Sequence, residues 1–200
     1  MTRAVADDLS GADQNAWGEK AAAAGHMRAV DRTDWALSLE FGGGAQQNGA
    51  VACWHGRSVE ICRVEARGVG SVLAVLDEVA ERLDSRGVRQ WPRRFQPSWV
   101  TPAIEEGHTW LVHLDGELVA TITLEWADPV WNPDDGSAGY VHRLAVRRGA
   151  SGLGLHLLRW AASEVCQRER SLLRLDCVTS NRMLRSYYES AGFQHGGTWK

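Results

Sequence analysis

The chain has little of what would place it outside the cell, in a membrane or on a nucleic acid. Its 200 residues include only four cysteines. Cys53, Cys62, Cys166 and Cys177 form no CxxC pair and have no histidine at zinc-ligand spacing, so neither a disulfide framework nor a metal site is expected. No apolar run approaches the roughly 20 residues needed to cross a bilayer. Residues 1–8, MTRAVADD, lack the apolar core of a secretory leader, and the expected location is the cytoplasm, away from membranes. Lysine and arginine number 22 against 25 aspartate and glutamate, a net charge of −3 with no basic block, which argues against a nucleic-acid partner. Residues 1–57 contain no Ile, Pro or Tyr. They read as a poorly structured or partly docked extension in which only Trp35–Phe41 alternates as a half-buried strand would.

What is present suits a folded domain: 44% hydrophobic and 24% charged residues can bury a core. From residue 58 the elements become legible. Ser58–Glu65 reads as a strand. Val72, Val75, Leu76, Val79 and Leu83 recur at helical spacing behind Ser71 as N-cap, with Gly87 closing the helix. A short helix is predicted over Ser98–Glu106, then strands Thr109–Leu114 and Glu117–Trp126 about the turn dipeptide Asp115-Gly116. After a polar loop come a strand at Tyr140–Val146, a helix marked by Leu157, Leu158, Ala161 and Val165, a strand at Leu172–Val178, a helix at Asn181–Ala191 and a strand at Phe193–Trp199. This order predicts an α/β fold with three layers, helix on sheet on helix, the central sheet being mixed.

The most informative stretch runs Leu144-Ala145-Val146-Arg147-Arg148-Gly149-Ala150-Ser151-Gly152-Leu153-Gly154, where a strand passes into a helix through small residues. Exposed amides at such a turn suit a pyrophosphate, and Arg147 and Arg148 add positive charge. A dinucleotide fingerprint fails because Ser151 or Leu157 stands where glycine is required. A P-loop fails because Leu155 stands in place of the lysine.

What remains, Leu144-Ala145-Val146 followed by Gly152-Leu153-Gly154, resembles the GNAT superfamily of acyl-CoA-dependent N-acyltransferases, with Gly149 at the place of that family's Gln or Arg. Asn181, Tyr188 and Gly192-Phe193 repeat the family's late helix and strand. The resemblance covers residues 58–200 and implies a mostly antiparallel mixed sheet with acetyl-CoA as acyl donor. It implies that strand Leu144–Val146 receives the pantetheine arm, that the amides of Gly149–Gly154 hold the pyrophosphate, and that the strand beginning at Leu172 splays away. Tyr188 aligns with the tyrosine that protonates the departing thiolate, and Asn181, two helical turns before it, faces the same ligand. Glu125 and His142 are alternative general bases, since a carboxylate or an imidazole can take the amine's proton. Trp91, Trp126 and Trp131, with Asp128, Asp134 and Asp135, form a candidate pocket for a cationic amine. Cys177 reads as a packed small hydrophobe. The expected activity is direct acetyl transfer to the primary amine of a small molecule, by a monomer or homodimer. Transfer of another acyl group, transfer to a hydroxyl, and non-catalytic acyl-CoA sensing are the alternatives.

Overall fold

The computed structural model describes residues 32–38, 51–131 and 136–199. Among these, eight strands form one sheet in the order β2-β3-β4-β5-β6-β7-β1-β8. The strands are β1 Arg32–Ser38, β2 Val51–Trp54, β3 Arg57–Arg63, β4 Thr109–Leu114, β5 Glu117–Glu125, β6 Ala138–Val146, β7 Leu172–Val178 and β8 Gln194–Trp199. The helices are α1 Val69–Asp84, α2 Thr101–Glu105, α3 Leu153–Cys166 and α4 Arg182–Ser190. Every strand pairing is antiparallel except β6 with β7, so the expected mixed, mostly antiparallel sheet is borne out. Among the described residues no helix is long and apolar enough to cross a membrane.

Local chemistry accounts for most of these boundaries. Asp115 and Gly116 take φ of 52° and 81°, as a tight hairpin turn requires. Asp115 also ties the hairpin to the neighbouring strand, accepting from Ser58 N at 2.8 Å and Arg57 Nε at 2.7 Å. His55 and Gly56 make the same kind of turn between β2 and β3, with φ of 50° and 77°. Helix α1 begins at Val69 rather than after Ser71, because a 3₁₀ turn over Ala66–Gly68 runs directly into it and Gly68 takes the N-cap position. It ends where Gly87, at φ 73°, lets Val88 N return to Leu83 O at 2.9 Å. The predicted 98–106 helix is split: Pro97–Trp99 is a 3₁₀ turn and α2 starts at Thr101.

Two cores flank the sheet, completing the three layers. Val72, Val75, Leu76 and Val79 of α1 pack with Phe95, Ile104 and Ala145 on one face. Leu153, Leu157, Leu158, Ala161 and Val165 of α3 and Tyr188 of α4 pack with Ile122, Leu124, Leu173 and Leu175 on the other. Gly139 marks how close α3 lies: an added Cβ there would collide with Val165 Cγ2 and sit 3.2 Å from Trp126 Cζ3.

Two pieces of the segment read as an extension lie in the sheet. β1 spans Arg32–Ser38, slightly before the expected 35–41, and inserts between β7 and β8, while residues 39–41 lie outside the described residues.

Candidate active site

The cleft forms where β6 and β7 part. Their parallel pairing runs from Ala138↔Leu172 to Val141↔Leu175 and stops there, although β6 continues to Val146 and β7 to Val178. On its other side β6 stays paired with β5, but with a fault: Thr123 faces His142 while Thr121 faces Ala145. Three steps of β6 thus match two of β5, and Arg143 absorbs the extra residue at φ 49°. The bulge reassigns faces, so that Leu144 and Val146 join Val141 against the α3 core while Ala145 packs under α1.

His142, the first β6 residue past the parting point, sits between two carboxylates. Its Nε2 lies 3.3 Å from Asp128 Oδ2 and 3.5 Å from Glu125 Oε2. Glu125 is 5% exposed and Asp128 7%, so neither charge is bathed in water. Burial opposes the imidazolium, but the Asp128 contact and the Glu125 charge outweigh it and raise His142 above its ordinary value. Burial likewise lowers Arg143, against the same two carboxylates, which favour its charge. The two alternative bases therefore belong to one ionic cluster at the apex of the cleft.

The glycine loop closes the other end. A 3₁₀ turn at Arg148–Ala150 leads to Gly152, whose φ of 100° demands glycine, and α3 begins at Leu153. Gly149 has open space around its Cα, whereas a Cβ on Gly154 would lie 3.0 Å from Tyr187 Oη. Ala150 and Leu153 are buried in the core beneath the turn. Arg147 is held by the protein on two sides: Nε meets Glu78 Oε2 at 2.8 Å and Nη1 donates to Leu118 O at 2.8 Å. Arg148 is exposed on the turn. Arg82, which no motif flags, donates from Nη2 to Val146 O at 2.8 Å.

With the parted strands, the ionic cluster and the glycine turn in place, residues 67–193 match the Acetyltransferase (GNAT) family. The chain belongs to this family. It is an acetyltransferase, 35% identical over 139 residues to the uncharacterized N-acetyltransferase YesJ of Bacillus subtilis (strain 168), a match covering 64% of this chain and 77% of that one. A GNAT acetyltransferase from Listeria monocytogenes 4b F2365 shares its fold with a TM-score of 0.63 at 23% identity, over 73% of this chain and 92% of the other. A putative GNAT acetyltransferase from Novosphingobium aromaticivorans DSM 12444 does so with a TM-score of 0.55 at 14% identity, over 84% and 61%.

In this acetyltransferase Asn181 has architectural work in addition to any contact with ligand. It is the N-cap of α4, with Oδ1 accepting from Leu184 N at 3.2 Å and Nδ2 donating to Gln90 Oε1 at 3.3 Å. Gln90 also accepts from Val178 N at 3.3 Å, which fastens the loop after α1 to the end of β7 that has parted from β6. Being the cap, Asn181 lies outside the helix proper, so the two-turn spacing to Tyr188 does not by itself put the two side chains on one face. Tyr188 is 7% exposed, its ring 5.9 Å from those of Tyr187 and Phe193. Cys177 is fully buried, as expected of a packing residue. A cavity of about 310 Å³ opens beside the end of β7, lined by Val178, Asn181, Arg182 and Met183 and by Gly87 and Arg89 across from them.

The structure does not gather the three tryptophans into one pocket. Trp91 packs in the α1 core, edge-on to Phe95 at 5.8 Å. Trp126 packs against the α3 core with the Arg168 guanidinium 3.9 Å over its ring, so its face is taken by the protein's own cation. Trp131 follows the ionic cluster in the chain: its main-chain N–H donates to the main-chain O of Asp128 at 3.0 Å, its ring lies 6.0 Å from Tyr140, and Arg174 sits 4.9 Å above it. Asp134 and Asp135 lie outside the described residues.

Proposed function

We propose that this acetyltransferase moves the acetyl group of acetyl-CoA to the primary amine of a small molecule by direct attack while both are bound. The observation that carries the reading is the parting of β6 from β7 beyond Val141 and Leu175, with a basic residue at its apex and a glycine turn at its mouth. The residues fit the donor: the edge of β6 turned from β5 is free of β7 past Val141, and the space at Gly149 is open. Bound there, acetyl-CoA supplies an acyl group already activated as a thioester.

The chain's own residues do the rest. Main-chain groups of Leu144, Ala145 and Val146 offer the extended arm a strand to lie against, and amides between Gly149 and Gly154 receive the phosphates. His142 takes the proton of the incoming ammonium. With Nε2 turned toward Asp128 and Glu125, the neutral tautomer keeps its N–H there and presents Nδ1 as acceptor. The two carboxylates make the imidazole a stronger base, matched to an amine, and the buried acidic cluster beside Trp131 favours a cationic acceptor over a neutral hydroxyl. Tyr188 donates a proton to the departing sulfur, since a phenol is protonated at neutral pH. We take residues 58–200 as the acyltransferase domain and 1–57 as an N-terminal extension that lends it β1 and β2.

Thermal shift with acetyl-CoA, coenzyme A, NAD and ATP tests the donor first. Ligand at 100 times its Kd adds about 2.7 kcal/mol, or roughly 5–10 °C for a domain of this size. A rise with acetyl-CoA and coenzyme A alone is expected. No rise with either overturns the proposal.

A further inference from the structure

On the face of the sheet that carries the apex cluster, one row of residues crosses three strands. Glu125 of β5 stands opposite Tyr140 of β6, and Tyr140 opposite Arg174 of β7. Residues directly opposite in a sheet share a face, so Arg174 lies on the side of Glu125 and of His142, which is two residues along from Tyr140. Neighbouring strands run about 4.8 Å apart and two residues rise about 6.6 Å, which sets the backbone of Arg174 about 8 Å from that of His142. Trp131 lies against the same row, its ring 6.0 Å from that of Tyr140 and 4.9 Å from the Arg174 guanidinium.

That guanidinium has no counter-ion of its own. Arg174 is only partly exposed, its Nε is buried with no hydrogen-bond partner, and among the described residues no carboxylate comes within ion-pair distance of it. Other arginines are engaged: Arg170 donates to the carbonyls of Trp126 and Ala138, Arg168 to Glu164, and Arg147 meets Glu78. Glu125 and Asp128 flank His142 instead. A cation drawn partly out of water, with an aromatic ring on one side and an unfilled fork of donors, calls for an anion from outside the chain. The surroundings choose which anion. One guanidinium matches the two oxygens of a carboxylate, whereas a dianionic phosphate would meet the repulsion of Glu125 and Asp128 on the same face.

We propose that Arg174, held against Trp131, receives the carboxylate of an acceptor whose ammonium faces Glu125, Asp128 and His142, so that the acceptor is a zwitterion, an amino acid. This inference rests on the proposed function for the reaction and adds the class of acceptor. The bond from nitrogen to the acetyl carbon forms as the carbon–sulfur bond breaks. Of the two protons the ammonium sheds, one goes to His142 and one ends on the thiol, while the carboxylate stays on Arg174 unchanged.

Initial rates of the full chain with acetyl-CoA test this across a panel of amino acids, each beside its own amide and its decarboxylated amine, which differ in the group that Arg174 holds. The acid is expected to exceed the other two in kcat/KM by roughly 10–100-fold, the range of a charge-assisted hydrogen bond, and mostly through KM, because the contact is the same before and during transfer. Arg174→Gln should lower the acid alone and bring it level with the amide, whose unchanged turnover shows that the variant is folded. Arg174→Lys should keep part of the preference. Where a variant fails to fold, the wild-type ratio of acid to amide still decides. An enzyme that acetylates the amide and the decarboxylated amine as well as the acid overturns the carboxylate subsite and leaves the proposed function standing. So does an Arg174→Gln variant that keeps the acid's advantage or that lowers acid and amide equally. No thiol released with any of the three classes of amine overturns both.

Discussion

Replacing His142 by glutamine takes the imidazole out of the apex cluster and leaves its two carboxylates in place. A positioned general base contributes about 10²–10⁴-fold to rate, about 3–5 kcal/mol of barrier, and kcat/KM of His142→Gln should fall by that factor. The pH dependence carries the sharper signature. Asp128 at 3.3 Å and Glu125 at 3.5 Å overcome burial and raise His142 above its ordinary 6.5, so the wild-type rate climbs through a midpoint above that pH as the imidazolium loses its proton. Asp128→Asn removes a raising charge and moves that midpoint to lower pH. Stability runs the other way: a raised histidine stabilises the fold fully at pH below its unfolded value, and this contribution fades as pH rises through the folded value. The melting temperature of wild type should therefore lose, on going to alkaline pH, an increment that His142→Gln never shows. Steady-state kinetics across pH, with differential scanning calorimetry on the same variants, measures both. A His142→Gln enzyme that keeps its acidic limb and most of its kcat/KM refutes the assignment.

Tyr188→Phe should depress kcat far more than it weakens acetyl-CoA, as direct binding and turnover measured together will show; an unchanged kcat removes Tyr188 from the chemistry. Gly139→Ala forces a methyl against Val165 and Trp126 and should cost about 1–3 kcal/mol in denaturant melts, the usual penalty of overpacking. Asn181→Ala loses the cap of α4 and its link to Gln90, a loss of about 1 kcal/mol in the same melts, whereas Asn181→Asp keeps the cap. Deleting residues 1–50 takes away β1, through which β8 joins the sheet, and should expose a strand edge that aggregates, while a chain begun at Met27 retains β1 and stays monodisperse in light scattering.

The sequence was legible where structure is set locally. Apolar spacing placed α1 to within a few residues, Asp115-Gly116 located a hairpin, and the strands Thr109–Leu114 and Leu172–Val178 stand as expected. The glycine loop was readable for the same reason, since φ of 100° at Gly152 leaves a mark in residue type. What depended on distant partners was not. Glu125 and His142 looked like rivals because only the β5–β6 register and its bulge bring them within 3.5 Å. Arg82 looks like any charge on a helix surface until the sheet puts Val146 O beneath it. Arg147 carried the right charge in the right motif, yet Glu78, on a helix far off in sequence, claims it. Trp126 was expected at a pocket because it ends a strand, but Arg168 covers its ring. β2 is four residues long and left too short a pattern to read.

Release of free thiol from acetyl-CoA across a panel of small primary amines, with mass spectrometry of the products, shows whether the cleft carries acetyl transfer to nitrogen. At least one amine should yield thiol and N-acetylated product in equal amounts, with a rate that rises through a midpoint above pH 6.5 and collapses in His142→Gln. Tight binding of acetyl-CoA with no thiol released by any amine, or product acetylated on oxygen alone, would contradict it.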